Sequence, residues 1–404
     1  MLIKMAWRNI WRNPWRSVVI MLSISVGLFA GLAVLALYKG MMKSRIRTLI
    51  ETEIGHLQVH DSAFKKDYDP RFIIRNGHEV WNYLQQQPEL INLSARTSTA
   101  AMLSAASGSA GVQTYGIIPE DETRASKLSE KLISGELFPT NKKASILLGK
   151  KLAKKLKLKT GSRVVLMMTD SSGSMVSGAF RVRGIYESDN AALDEINVYV
   201  RREEVNPLLL LQQDFHEITL QVKSDADLYS VQERIQKKFP HLLVESWHEL
   251  SPETDLMART VDEMSYIIIV IILFALSFGI INTMLMAVLE RTREVGMMIA
   301  LGTSRVRIFS LIFLETLFLT LASSPVGLGI SWIIISYYHK KGLDLSNMGK
   351  EMMSSFGFET TIYPEFPTEK LLGVMIIVSS TALLSAILPS VKALRLQPAD
   401  ALTK

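Results

Sequence analysis

The sequence predicts a membrane protein with four transmembrane α-helices and a large α+β extracytoplasmic domain inserted between the first and second span. Three observations carry this. Four apolar runs, at 17–38, 265–289, 308–337 and 370–391, are almost free of charge. About 20 such residues suffice for a helix to cross the hydrocarbon core, and one unpaired charge at mid-bilayer costs about 2.5–3.5 kcal/mol. The 404 residues are 48% hydrophobic but only 8% aromatic, with a positive mean hydropathy, so apolar excess is gathered into segments. About 220 residues of mixed pattern, 39–264, separate the first run from the second.

Charge sets the topology. Lys4, Arg8, Arg12 and Arg16 precede the first run, Arg291, Arg293, Arg305 and Arg307 lie between the second and third, and Lys392, Arg395 and Lys404 follow the fourth. The positive-inside rule places all three groups in the cytoplasm, giving a multi-pass protein with both termini inside. The outer side then holds 39–264 and a hairpin at 338–369, and the cytoplasm holds only 1–16, 290–307 and a tail at 392–404. None of these inner pieces is long enough for an ATPase, kinase or DNA-binding domain. Lys39, Lys43, Arg45 and Arg47 stand against the rule on the outer side, an exception that long translocated domains permit. The first run exceeds the roughly 7–15 residues of a signal-peptide core and ends LALYKGMMK without a small-x-small site. It is a retained span.

Residues 1–16 read as an amphipathic interfacial elbow helix. The pair Trp-Arg recurs at Trp7-Arg8, Trp11-Arg12 and Trp15-Arg16. A period of four drifts about 40° per step on a 3.6-residue helix, so the indoles form one stripe and the basic side chains another. Indoles favour the membrane interface and arginines the inner head groups, which makes membrane lipids the partner. Asn13-Pro14 reads as N-cap and first position of the spanning helix. Nucleic acid, lysis and targeting fall away because the segment leads into a retained span. No base-reading motif accompanies the net charge of +6.

Beyond the first span, 40–53 continues the helix and GHLQVH alternates as a strand does. A hairpin is predicted over 94–118. A β-rich insert follows at about 145–200, with a short amphipathic helix and two strands joined at Ser171 to Ser177. HEITLQVKS, DLYSVQERIQKKF and HLLVESW read as strand, helix and strand. A polar helical stretch from Pro252 to Glu263 leads into the second span.

Candidate chemistry is sparse. There is no cysteine, so thiolate catalysis and thiolate metal sites are excluded. His56 and His60 share a strand face with Gln58 and no carboxylate at ligand spacing, which argues against metal. Ser62 and Lys65 form an isolated Ser-x-x-Lys, and no Gly-x-Ser-x-Gly, His-Glu-x-x-His or phosphate-cradling Gly-x4-Gly-Lys-Ser/Thr is present. The chain is expected to be no enzyme and to bind no cofactor itself. The lysines at 150, 151, 154, 155, 157 and 159 flank Leu148, Leu152 and Leu156; they form a solvated helix face or meet anionic head groups. Asn282, Thr283 and Glu315 are the polar groups within the spans. Asn282 is expected to bond a neighbouring helix. Glu315 lies about two turns past Arg307, within reach of a loop arginine, and without relay partners it makes no ion path.

The segment 290–307, ERTREVGMMIALGTSRVR, is helical with an apolar strip of Val295, Met298 and Ile299, exposed Glu290, Arg291, Arg293 and Glu294, and a break at Gly302-Thr303-Ser304. Such a helix suits docking in a partner's groove; it also fits a plain interfacial connector.

From Gly279, GIINTMLMAVLERTREVGMMIALGTSRVRIFSLIFLET resembles the FtsX/MacB-type permeases of ABC transporters. The ending PSVKALRLQPADAL, with Pro389, Ala393, Pro398, Ala399, Ala401 and Leu402, is similar to that family's C-terminal pattern. AWRNIWRNPWRS and GHLQVH look most like its lipoprotein-releasing LolC/LolE branch. The resemblance implies a MacB-like periplasmic core within 39–264 and a coupling helix at 290–307. Its ATPase-coupling residues would be Glu290, Arg291, Arg293, Glu294, Gly296, Met298 and Gly302. It further implies two copies of a separate ABC ATPase holding ATP and Mg, a second permease, identical or homologous, and a bacterial cytoplasmic (inner) membrane location. The cargo would be a lipoprotein or similar amphiphile, moved on the outer side by mechanotransmission. MacB-like efflux of drug, peptide or toxin and FtsX-like regulation of a cell-wall hydrolase stay open as alternatives.

Overall fold

The computed structural model describes residues 2–12, 14–139, 143–290 and 292–394. The chain divides into two compact units. One comprises Met1–Met42, Ala258–Leu343 and Thr361–Lys404, the other Lys43–Met257 and Asp344–Thr360.

The first unit is built from the apolar runs. Its long helices are Pro14–Thr48, Pro252–Glu290, Arg305–Lys341 and Leu371–Leu394, and each contains a stretch long and apolar enough to cross a membrane. A helix is the form that satisfies every backbone donor and acceptor within one segment, as hydrocarbon demands. The first two overshoot what a bilayer needs: 35 and 39 residues, at about 1.5 Å each, give helices of roughly 50–60 Å. Their extra turns are the polar extensions expected on either side of the large domain. Pro14 opens the first spanning helix, where its missing N–H leaves no intrahelical bond unmade; its expected N-cap Asn13 lies outside the described residues. The elbow helix is Leu2–Arg12, shorter than 1–16, so Trp15 and Arg16 belong to the first turn of the span.

Ile20, Ile24, Leu28, Leu32 and Leu35 recur at helical spacing and are buried against Ile269, Leu273, Val374 and Val378. Close approach rests on small residues. A Cβ at Gly327 would stand 3.1 Å from the Ser25 Cα, and Ser25 Oγ donates to the Ser323 carbonyl at 3.1 Å.

The second unit is organised by a sheet of ten strands: β1 Leu57–Asp61, β2 Leu90–Ala105, β3 Gly108–Ile117, β4 Leu132–Gly135, β5 Ser145–Gly149, β6 Arg163–Thr169, β7 Met175–Tyr186, β8 Asn197–Arg201, β9 Glu217–Val222 and β10 Leu242–Ser246. The 16 residues of β2 serve two bodies. Its first half pairs with β9, next to β1 and β10. Its second half pairs with β3 and β6, and the ladders β3·β8, β8·β5, β5·β7 and β7·β6 close a ring of six strands. The ring is filled by Leu103, Ile146, Leu148, Leu166, Phe180 and Val198, and closure leaves these strands no open edge.

Three expectations are refined here. The strand–helix–strand unit exists as β9, helix Leu228–Lys238 and β10, but β1 lies between the two strands and antiparallel to both. As a central strand β1 is buried along Leu57, Gln58, Val59 and His60, so its alternation does not translate into an exposed face. The turn before β7 closes at Asp170–Ser174, ahead of the expected Ser171–Ser177. The Asp170 carboxylate accepts from the backbone N–H of Ser172 and Ser174 at 2.8 and 2.9 Å, and Gly173 takes φ +87°. The lysine-rich helix Lys150–Lys155 buries Leu152 and pairs Lys150 with Glu187 and Lys155 with Glu195 at 2.8 and 2.6 Å. That supports the solvated face.

Candidate coupling site and outer cavity

At the end of the first unit that holds the elbow, the loop between the second and third spans forms a helix, Thr292–Ala300. It stops where Gly302 takes φ +86°, a conformation that costs glycine least. Arg291 lies outside the described residues. Its apolar strip does not face outward as the sequence suggested: Val295 and Gly296 are buried, and Met298 and Ile299 pack onto the core beside Val288, Ile308 and Ile312. Burying that strip fills the space where the two spans diverge. The face left open carries Arg293, Met297, Leu301 (87% exposed) and Val306 (73% exposed). The positions 293, 297, 300 and 301 repeat at helical spacing, a signal visible in the sequence but read for the opposite face. Glu290 is exposed.

The elbow buries Ala6 and Ile10 and leaves Trp7, Arg8, Trp11 and Arg12 exposed, with Trp15 at 85%. Trp7 meets Trp11 and Phe318 edge to face, centroids 6.1 and 5.8 Å away. Arg12 pairs with Glu294 of the loop helix. Glu315 accepts from Asn9 Nδ2 at 2.6 Å, so the elbow supplies a partner for it. Asn282 is exposed near Phe278 and Met286, and among the described residues it shows no interhelical bond; Thr283 Oγ1 donates to its own helix at the Gly279 carbonyl, 2.9 Å.

At the opposite ends of the spans lies a cavity of about 370 Å³, lined by Leu35, Tyr38, Met42, Lys39, Glu369 and Lys370 among others. Its body is apolar and its rim charged: Lys39 reaches Glu369 at 3.0 Å, and the Lys370 ammonium lies 5.4 Å from the Tyr266 ring centre. Three helices distant in sequence build it, so no local motif announces it. Of the four basic residues that break the positive-inside rule, Lys39 pairs with Glu369, Arg45 with Glu53 and Arg47 with Glu359.

In the second unit the end of the first helix is clamped. It passes into a π-helix, Leu49–Ile54, where Glu53 Oε1 accepts from Arg45 and Asn190 at 3.1 and 2.9 Å and the Glu53 carbonyl accepts from Arg96 at 3.1 Å. Behind it burial would raise the Glu122 carboxyl, but Arg96 and Ser94 outweigh that and hold it below the usual range. Burial pushes Glu217 and Asp194 up to about 6 and His216 down to about 4. Burial likewise lowers His56 and His60; His60 faces Glu245 at 2.7 Å, and among the described residues no group of three ligating side chains gathers. Lys65 is engaged by Glu245 at 2.8 Å.

Residues 17–238 match the MacB-like periplasmic core domain, and residues 266–398 match the FtsX-like permease C-terminal domain. This chain is an ABC transporter permease of the FtsX/MacB type. It is similar to the lipoprotein-releasing system transmembrane protein LolC of Neisseria meningitidis serogroup B, 21% identical over 94% of this chain and 92% of that one. LolE of Haemophilus influenzae is 22% identical over 94% and 93%. The macrolide export ATP-binding/permease protein MacB 2 of Aeromonas hydrophila is 24% identical over 55% of this permease, which spans 33% of that longer protein. Among solved structures, the periplasmic region of MacB from Actinobacillus actinomycetemcomitans is 17% identical, with 55% of this permease and 97% of that chain covered and a TM-score of 0.37.

The permease therefore carries a periplasmic domain between its first and second spans, and an ABC permease implies an ATPase partner. Of the residues singled out from sequence, Arg12 meets Glu294, and Glu294 and Glu315 line one small cavity with Asn9. Asn282 stands apart from it. The C-terminal residues Pro398, Ala399, Ala401 and Leu402 lie outside the described residues.

Proposed function

We propose that this permease extracts lipoproteins, or similar amphiphiles, from the outer leaflet of the bacterial cytoplasmic membrane, powered by a separate ABC ATPase. The cavity at the domain-side ends of the spans carries this reading. It offers an apolar body for an acyl chain and Lys39 and Lys370 at its rim for a polar head. In this reading both termini are cytoplasmic, with Trp7, Arg8, Trp11, Arg12, Trp15 and Arg16 as the interfacial anchor. Two ATPase copies, holding ATP and Mg, engage the loop that contains Glu290, Arg291, Arg293, Glu294, Gly296, Met298 and Gly302. A second permease, identical or homologous, completes the complex, and this chain binds no cofactor.

ATPase activity of the reconstituted complex should rise with an acylated lipoprotein and stay flat with its unacylated form. The match to a macrolide-export protein supports a second reading, efflux of a drug or peptide from the periplasm. Stimulation by a macrolide or peptide with none by lipoprotein would replace the first reading with the second. Co-purification with a cell-wall hydrolase in place of any cargo response would favour regulation.

A further inference from the structure

The elbow helix does more than touch lipid. It makes polar contacts with two separate elements: Arg12 with Glu294 in the first turn of the loop helix, and Asn9 with Glu315 in the third span at 2.6 Å. It is also fastened to the start of the first span, since Ser17 Oγ donates to the Ile10 carbonyl at 2.6 Å. The first span is one continuous helix to Thr48, and from Lys43 onward it belongs to the periplasmic unit.

Between elbow, loop helix and third span lies a cavity of about 50 Å³, lined by Asn9, Glu294, Glu315, Val295, Met298 and Ile312 among others. Beside this cavity the two polar contacts act together with the apolar packing of Ile10, Met298 and Ile299 and of Trp7 on Phe318 to set the spacing of these elements. The charges suit their helices, because Arg12 ends the elbow and Glu294 opens the loop helix, each beside the dipole end of opposite sign. Arg12 and Glu294 are 48% and 46% exposed, and such a pair adds little to folding stability. Its consequence is positional.

We infer that Arg12 latches the loop between the second and third spans to the elbow at the root of the first span, with Asn9 holding the elbow against the third span, making the elbow a link in force transmission as well as an anchor. A displacement of the loop helix then reaches the root of the first span directly. This rests on reading 290–307 as the ATPase-docking loop.

The chain has no cysteine, so one introduced at the exposed Met175 in β7 can carry a spin label without background. The ATPase complex in nanodiscs would be compared without nucleotide and trapped with ATP and vanadate, for wild type, Arg12→Gln, Glu294→Gln, the double variant and Asn9→Leu. ATPase co-purification serves as the assembly control. The latch predicts that Arg12→Gln and Asn9→Leu keep the ATPase bound, and that each single variant reduces the nucleotide-dependent change at the label, and cargo release per ATP, roughly tenfold, within the usual range of inter-site coupling. The Arg12/Glu294 double should be no worse than either single. A normal response in the variants, or losses that multiply in the double, overturns the latch alone. No ATPase binding or no response in wild type overturns the reading of the loop, and the latch with it.

Discussion

Arg96 and Glu122 form an enclosed ion pair, Nη2 to Oε1 at 2.6 Å and Nε to Oε2 at 2.8 Å, with side chains 4% and 0% exposed. Because Arg96 also donates to the Glu53 carbonyl, the pair holds the end of the π-helix to the body of the periplasmic unit. Removing Glu122 leaves the buried Arg96 with the longer, 3.7 Å contact to Glu217 in place of its bidentate pair, so Glu122→Ala should destabilise the domain by about 3 kcal/mol. Arg96→Met combined with Glu122→Leu should recover most of that. Thermal unfolding of the full chain in detergent, followed by protease sensitivity, checks both outcomes; a mild Glu122→Ala would show that the pair is dispensable.

His216 gives the domain an acid limb. Ser98 N–H donates to its Nδ1 at 3.0 Å, its Nε2 lies 3.1 Å from the Pro70 carbonyl, and Phe64 stacks on the ring at 4.8 Å. A neutral ring protonated at Nε2 satisfies both contacts. Its folded value of about 4 lies below 6.5, so the unfolded chain binds more protons between them. The stability His216 contributes is complete above about pH 6.5 and lost as pH falls to about 4, worth about 3 kcal/mol. Asp194 and Glu217, raised to about 6, act in the opposite sense, losing stability as pH rises through that value. His216→Gln can keep both hydrogen bonds without titrating. It should flatten the acid limb of a midpoint-versus-pH curve; an unchanged limb would assign the effect elsewhere.

The loop helix separates docking from packing. Leu301→Glu changes a residue that is 87% exposed and should abolish ATPase co-purification while the permease inserts and unfolds normally. Val295→Glu puts a charge into the core and should lower stability itself, with Gly296→Pro close behind because proline inside a helix costs about 3 kcal/mol or more. Glu290→Lys should uncouple hydrolysis from release. Equal co-purification of Leu301→Glu and wild type would move the docking surface off this face.

The cavity can be filled. Leu35→Trp adds bulk to a wall of the 370 Å³ space and should remove lipoprotein stimulation while basal ATPase activity persists. Undiminished stimulation would place cargo elsewhere.

What the sequence revealed follows the range of each interaction. The spanning helices and the hairpin of β2 and β3 rest on local periodicity and charge, and helices and strands form at those positions; the elbow helix forms too but ends at Arg12, short of the expected residue 16. The loop helix was legible as an element but its outward face was not, because Val295, Met298 and Ile299 would suit a partner's groove as well as their own bundle. The bond from Asn9 to Glu315 spans 306 positions, and no local pattern announces it. The closed ring depends on β2 turning from β9 to β6 partway along its length. The cavity needs three distant helices at once.

ATP-driven release of an acylated lipoprotein from liposomes holding the permease and its ATPase is the most direct test of lipoprotein extraction. The lipoprotein should appear in solution on the side of the periplasmic domain, only with hydrolysable ATP, and without entering the opposite compartment. Release without ATP, or cargo crossing the bilayer, would contradict it.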